Sequence, residues 1–118
     1  MALPEIIQTK DLLNTFNDPR HVTVDCRPVA AYNGWKLQGE KRGGHIPGAK
    51  CFPYEWTRYI FELPEFLADK GITPGKSIVI YGYEEEKIKK MAALLIKGGY
   101  ENVRIYLDFK DDWVNHEE

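Results

Sequence analysis

The 118-residue sequence predicts an α/β domain, a parallel sheet with helices on both faces. Three observations predict it. Strand-like runs alternate with helical patterns of about ten residues. The stretch "SIVIY" at 77–81 reads as a parallel strand buried on both sides. It runs into a segment with Ile88, Met91, Ala92 and Leu95 at i, i+3, i+4 and i+7, the apolar stripe of an amphipathic helix.

The elements follow in order. Ile6 and Ile7 make a short apolar start, and Thr9 is placed to cap a helix carrying Leu12, Leu13 and Phe16. "NDPR" stops that helix. "HVTVDC" at 21–26 is a β-branched strand ending in the charged pair Asp25 and Arg27, and a short helix follows at "PVAAYN". "NGWKLQGEKRGG" has four glycines and no periodicity, so it is a loop. After "HIPGAKCF", which places Cys51 on another strand, Phe61, Phe66 and Leu67 would let one face of a helix pack inward. "ITPGK" is a turn. A six-residue turn, Gly82 to Lys87, separates "SIVIY" from the next helix, where Leu94 and Ile96 widen the apolar stripe and Gly98 and Gly99 end it. "NVRIYL" is the last strand, and "KDDW" begins a final helix or turn. The chain shows no internal repeat and no linker, so one domain is expected over 1–118.

Composition narrows the function. Sixteen basic and eighteen acidic residues are dispersed, with no basic block to track a phosphate backbone, so nucleic acid is not an expected partner. No apolar run approaches the roughly 20 residues needed to span a bilayer, and no membrane association is expected. The N-terminus lacks a signal-peptide layout, so the cytoplasm is the expected location, with export open if a leader was removed. Cys26 and Cys51 are too few for a disulfide scaffold. His21, His45 and His116 lie far apart and form no ligand pattern, so neither metal nor cofactor is expected.

Asp25 and Arg27 stand at the carboxyl end of a strand, facing a crevice or forming an ion pair that braces the loop. In "GGHIPGA" at 43–49, Pro47 and then Gly48 suit a tight turn, with His45 as a hydrogen-bonded turn residue. Alternation turns Cys26 away from Asp25 and Arg27 into the core, where a thiol is inert.

"VTVDCRPVAAY", "GGHIPGA", "SIVIYG" and "AALLIKGGYENVRIY", closing at Trp113, resemble a rhodanese-like domain over nearly the whole chain. The resemblance implies a three-layer α/β/α fold with a central, mostly parallel five-stranded sheet. It marks Asp25, Arg27, Gly44, His45, Pro47 and Gly48 as structural positions of the family pattern. It also implies sulfur transfer from a donor such as thiosulfate, by a cysteine opening a six-residue loop whose amides hold the persulfide. Counted back from "GYENV", that loop is Gly82, Tyr83, Glu84, Glu85, Glu86 and Lys87, and the cysteine position holds Gly82. Glycine cannot form the covalent intermediate, so no residue is assigned as catalytic. The three glutamates outweigh Lys87 and would repel an anionic donor, or else serve as an acidic helix cap.

Other departures concern Arg27 and the C-terminal segment. Ala30 and Ala31 stand where a simple rhodanese has an acidic residue, which leaves the partner of Arg27 open. The long loop before "GHIPGA" is similar to that of tandem sulfurtransferases, although Asp108 and Phe109 replace their usual Gly-Gly pair. The chain resembles the inactive partner of such a tandem: a structural, regulatory or protein-binding module whose partner would be a second, catalytic rhodanese domain or another protein. The alternative is an active sulfurtransferase using Cys51 or Cys26. Solvent-facing Trp35, Trp56 and Tyr59 are candidate anchors for a partner.

Overall fold

The computed structural model describes residues 4–16, 18–38, 44–58, 63–100, 102–109 and 112–113. Its strands are β1 (Glu5–Ile7), β2 (His21–Asp25), β3 (Lys50–Cys51), β4 (Ser77–Tyr81) and β5 (Val103–Tyr106). They form one sheet in the order β1-β5-β4-β2-β3, and every described pairing is parallel. The helices are α1 (Thr9–Leu13), α2 (Val29–Tyr32), α3 (Leu63–Asp69) and α4 (Glu85–Lys97), with a 3-10 segment at Tyr54–Arg58.

Period-2 alternation along the strands divides the core. Ile78 and Ile80 of β4 join Val22, Val24, Val103 and Ile105 against Leu67 of α3 and Ile88, Met91, Ala92 and Leu95 of α4. Val79 and Tyr81 point the other way, into a cluster with Ile7, Leu12 of α1, Ile46, Tyr106, Phe109 and Trp113. Both faces of the sheet are therefore covered, which explains why β4 carries no polar alternation.

Several local expectations are corrected. Gln8, not Thr9, precedes the first helix: its amide donates to the Asp11 carboxylate at 3.0 Å. The Thr9 hydroxyl instead hydrogen-bonds the Tyr106 hydroxyl and the Asp112 carboxylate. This helix ends at Leu13, so Phe16 lies beyond it and meets Trp113 edge to face with centroids 5.9 Å apart. On α4, Leu94 is exposed and does not widen the buried stripe, while Ile96 packs partly against the core. The turn before α4 has three residues rather than six, because Glu85, Glu86 and Lys87 already lie in the first helical turn. Acidic residues there are favoured by the helix dipole. Gly43, Tyr59, Phe61 and His116 fall outside the described residues.

The topology also selects a location. From β2 the chain moves outward to β3, and from β4 it moves to β5 on the opposite side. The adjacent strands β2 and β4 therefore flank a switch point, and at their carboxyl ends an open α/β sheet leaves a crevice.

Candidate functional site at the switch point

Two segments meet in that crevice: Cys26, Arg27 and Pro28 leaving β2, and Gly82, Tyr83 and Glu84 leaving β4. Beneath it lies a buried polar brace. The Asp25 carboxylate accepts from the Arg27 amide (2.9 Å), from Arg27 Nε (3.0 Å) and from Arg27 Nη2 (2.7 Å). It also accepts from the Tyr81 hydroxyl at 2.8 Å, whose oxygen in turn accepts from the Ile46 amide at 3.0 Å. Arg27 Nη2 donates to the Gly44 carbonyl at 2.7 Å, and the guanidinium lies 4.4 Å from the Phe109 ring centroid. Asp25 and Arg27 are 0% and 2% exposed, so the pair is an internal brace rather than a charge presented to the crevice.

That arrangement answers the open question about Arg27, since Asp25, two residues upstream, is its partner. Burial opposes the Arg27 charge, but the Asp25 hydrogen bonds and charge outweigh it and hold the guanidinium pKa above its usual value. Burial, reinforced by the Asp25 charge, pushes the Tyr81 phenol well up, so it stays a hydrogen-bond donor at neutral pH.

The "GGHIPGA" segment is fastened to the same brace. Gly48 adopts φ +80°, and the Ala49 amide closes the turn on the Ile46 carbonyl at 2.9 Å. The His45 ring stacks on Tyr32 with centroids 3.8 Å apart, and its Nδ1 lies 2.9 Å from the Tyr32 carbonyl. The Tyr32 hydroxyl donates to the Ala49 carbonyl at 2.6 Å. His45 is thus occupied within the turn.

Above the brace is a cavity of about 150 Å³ lined by Cys26, Arg27, Pro28, Leu37, Glu55, Tyr83, Glu84 and Lys87, among others. Burial, followed by the Asp25 charge, pushes the Cys26 thiol up to about 12, and Cys26 belongs to the core cluster as alternation required. Cys51, half-buried on β3, is also raised, first by burial and then by Asp25. At neutral pH both thiols are protonated and therefore poor nucleophiles.

The charges over 82–87 are joined by others from the helix and from Glu55. Glu85 pairs with Lys89 at 2.7 Å and Glu86 with Lys90 at 3.0 Å, both at i,i+4. Lys87 lies 3.8 Å from Glu84 and 3.2 Å from Glu55. The three loop carboxylates thus each have a lysine within reach, Lys87 being shared with Glu55, and the local field is weaker than the six-residue count suggests. Glu55, Tyr81 and Phe109 were missed as site residues. A tyrosine closing an aliphatic strand was a usable signal for Tyr81; the other two are brought in by tertiary packing alone.

Trp35 is 69% exposed, whereas Trp56 packs against Phe66 at 5.9 Å and lies under the Lys70 ammonium. Among the described residues no helix is long and apolar enough to cross a membrane.

Comparison with known proteins gives consistent results. The family model of the rhodanese-like domain matches residues 8–116. Thiosulfate sulfurtransferase of Pseudomonas aeruginosa is 32% identical over 102 residues, 78% of this chain and 36% of the relative. Its counterpart in Azotobacter vinelandii is 34% identical over 102 residues, with the same coverage. Among solved structures, the anaerobic ergothioneine biosynthesis enzyme from Chlorobium limicola with its substrate trimethyl histidine superposes with a TM-score of 0.90 at 36% identity. That match covers 98% of this chain and 27% of the enzyme. A variant of EanB in complex with ergothioneine gives a TM-score of 0.91 at 36% identity, with the same coverage. The chain spans about a third of the length of the curated relatives it matches.

Proposed function

This chain belongs to the rhodanese-like domain family, and we propose that it is a catalytically degenerate member: a sulfurtransferase-type module that binds or supports a partner and does not itself turn over a sulfur donor. The observation that carries this reading is the glycine at 82, which leaves the loop at the switch point with no side chain to form a covalent sulfur intermediate. The burial of Cys26 in the core, which raises its thiol pKa, and the half-buried place of Cys51 on the edge strand support it. The test is thiosulfate:cyanide turnover by the 118-residue chain. The expected result is no activity above a heat-treated control, and turnover lost in Cys26→Ser or Cys51→Ser overturns the reading.

A second reading is favoured by the place of Cys26 in the cavity lining: an active sulfurtransferase in which Cys26 receives the sulfur. Persulfide on Cys26 after incubation with thiosulfate, detected by mass spectrometry, would establish it.

The partner we propose is a second, catalytic rhodanese-like domain, since the thiosulfate sulfurtransferases that match are about three times as long as the matched segment. Trp35 is the proposed anchor, a large exposed aromatic two residues before cavity-lining Leu37. Trp35→Ala should weaken binding to such a domain at least tenfold in a titration, and unchanged affinity rules out this anchor.

A further inference from the structure

Glycines are commonly kept for backbone freedom, and Gly34, Gly44, Gly48, Gly71 and Gly99 all adopt positive φ. Gly82 is not among them. Its backbone therefore lies in territory open to any L-residue, and something other than conformation must account for the absent side chain.

Space accounts for it. A Cβ built on Gly82 would lie 2.8 Å from Cys26 Sγ, with Ile88 Cγ1 at 3.5 Å and Arg27 Cγ at 3.8 Å. Non-bonded heavy atoms prefer separations of roughly 3.5–4.0 Å, so the first of these contacts is a collision. The sulfur can move aside only by rotating about its own Cα–Cβ bond, because the backbone that carries it is held. The Cys26 amide donates to the Tyr81 carbonyl at 3.0 Å and its carbonyl accepts from the Tyr54 amide at 3.1 Å, which holds the backbone on both sides. The side chain itself lies in the core cluster that includes Ile88.

We infer that Cys26 is the positioning residue that keeps a side chain, and with it a nucleophile, out of position 82: the two positions share one space, filled by the sulfur from β2. The inference rests on the reading that position 82 is where the family's nucleophile belongs. It goes beyond that reading by naming a second residue that must change before the loop can hold a thiol. The loop carboxylates are not the obstacle it names, since each has a lysine within reach.

The geometry further specifies what Gly82→Cys would do. A disulfide places one Cβ about 3 Å from the far sulfur, given an S–S bond of about 2.05 Å. The introduced thiol would therefore stand within bonding reach of Cys26 Sγ. With diamide as oxidant, the two thiols lose two protons and two electrons to the reagent, which becomes the hydrazine, and an S–S bond forms.

Two experiments test the inference. The first is a double-mutant cycle of Gly82→Ala and Cys26→Ala followed by thermal unfolding. Gly82→Ala alone should lower Tm by about 5–10 °C through overpacking, and adding Cys26→Ala should recover at least half of that loss. Additive losses, or a double variant that fails to fold where Cys26→Ala folds, overturn the inference. The second uses Gly82→Cys treated with diamide, denatured and titrated for thiols. One reactive thiol, that of Cys51, and a mass 2 Da below the reduced form are expected; three reactive thiols overturn it. In the native state, neutral iodoacetamide should label the introduced thiol at least tenfold faster when Cys26→Ala is also present while the Tm of that double variant is higher than that of Gly82→Cys alone; faster labelling with a lower Tm overturns the inference. The cycle reads packing alone, so turnover by the unaltered chain would sink the degenerate reading and leave this inference standing, and additive losses would do the reverse.

Discussion

Arg27 and Asp25 bury a full charge pair at the carboxyl end of β2, and its worth shows most clearly when only one partner is removed. Leaving a buried charge uncompensated costs about 3–5 kcal/mol, whereas replacing both partners by apolar side chains can be nearly neutral. Arg27→Met should therefore lower unfolding stability in urea by about 3–5 kcal/mol, and Asp25→Leu together with Arg27→Met should recover a large part of it. If the double variant is no more stable than the single, the carboxylate is held mainly by Tyr81 and the backbone. The pairing was within reach of the sequence, because a D-x-R at a strand end admits an ion pair. The rest of the brace was not: the Tyr81 hydroxyl comes from a strand 56 residues away and the Gly44 carbonyl from a loop. The absence of an acidic residue at Ala30 or Ala31 raised the right question about Arg27, and the answer lay two residues upstream.

Helix α4 shows how far periodicity carries at the scale of an element. The i, i+3, i+4, i+7 stripe named Ile88, Met91, Ala92 and Leu95, and all four are buried. Leu94 is adjacent in sequence yet 37% exposed, because one step along a helix rotates a side chain by about 100°. Leu95→Ala should cost about 2–5 kcal/mol and Leu94→Ala within about 1 kcal/mol, measured by chemical denaturation. Similar losses at both sites would mean that α4 is rotated on the sheet. The turn in front of α4 was less legible than its stripe. Loop residues in a homologous position need not stay a loop, and here the same glutamates that suggested an acidic turn favour winding it into helix. The contact between Gly82 and Cys26 left no sequence signal at all, since it joins the ends of two neighbouring strands through one sulfur atom.

At the scale of the whole molecule, the amino end of the sheet carries a pH dependence. His21 begins β2 with Nε2 2.7 Å from the Thr23 hydroxyl and a buried Nδ1. Burial, followed by the Arg104 charge and partly offset by Asp18, lowers its pKa to about 4. The folded state therefore favours neutral imidazole, and the unfolded chain binds the extra proton between about pH 4 and 6.5. Stability from this group is fully present above pH 6.5 and is lost as the pH falls towards 4. Partial solvent access discounts its size to about 1–2 kcal/mol. Urea midpoints across that window should fall less steeply in His21→Gln than in the parent, and equal slopes would exclude His21 as the source. The strand order has a separate consequence for the nascent chain. Among the described residues β1 pairs only with β5, Glu5 lying opposite Arg104, so the first strand of this sheet to be made has no place in it until nearly the last has been made. At roughly 5–20 residues per second, Ile6 and Ile7 wait about 5–20 s unpaired. During that interval the segment is open to chaperones and to other nascent chains.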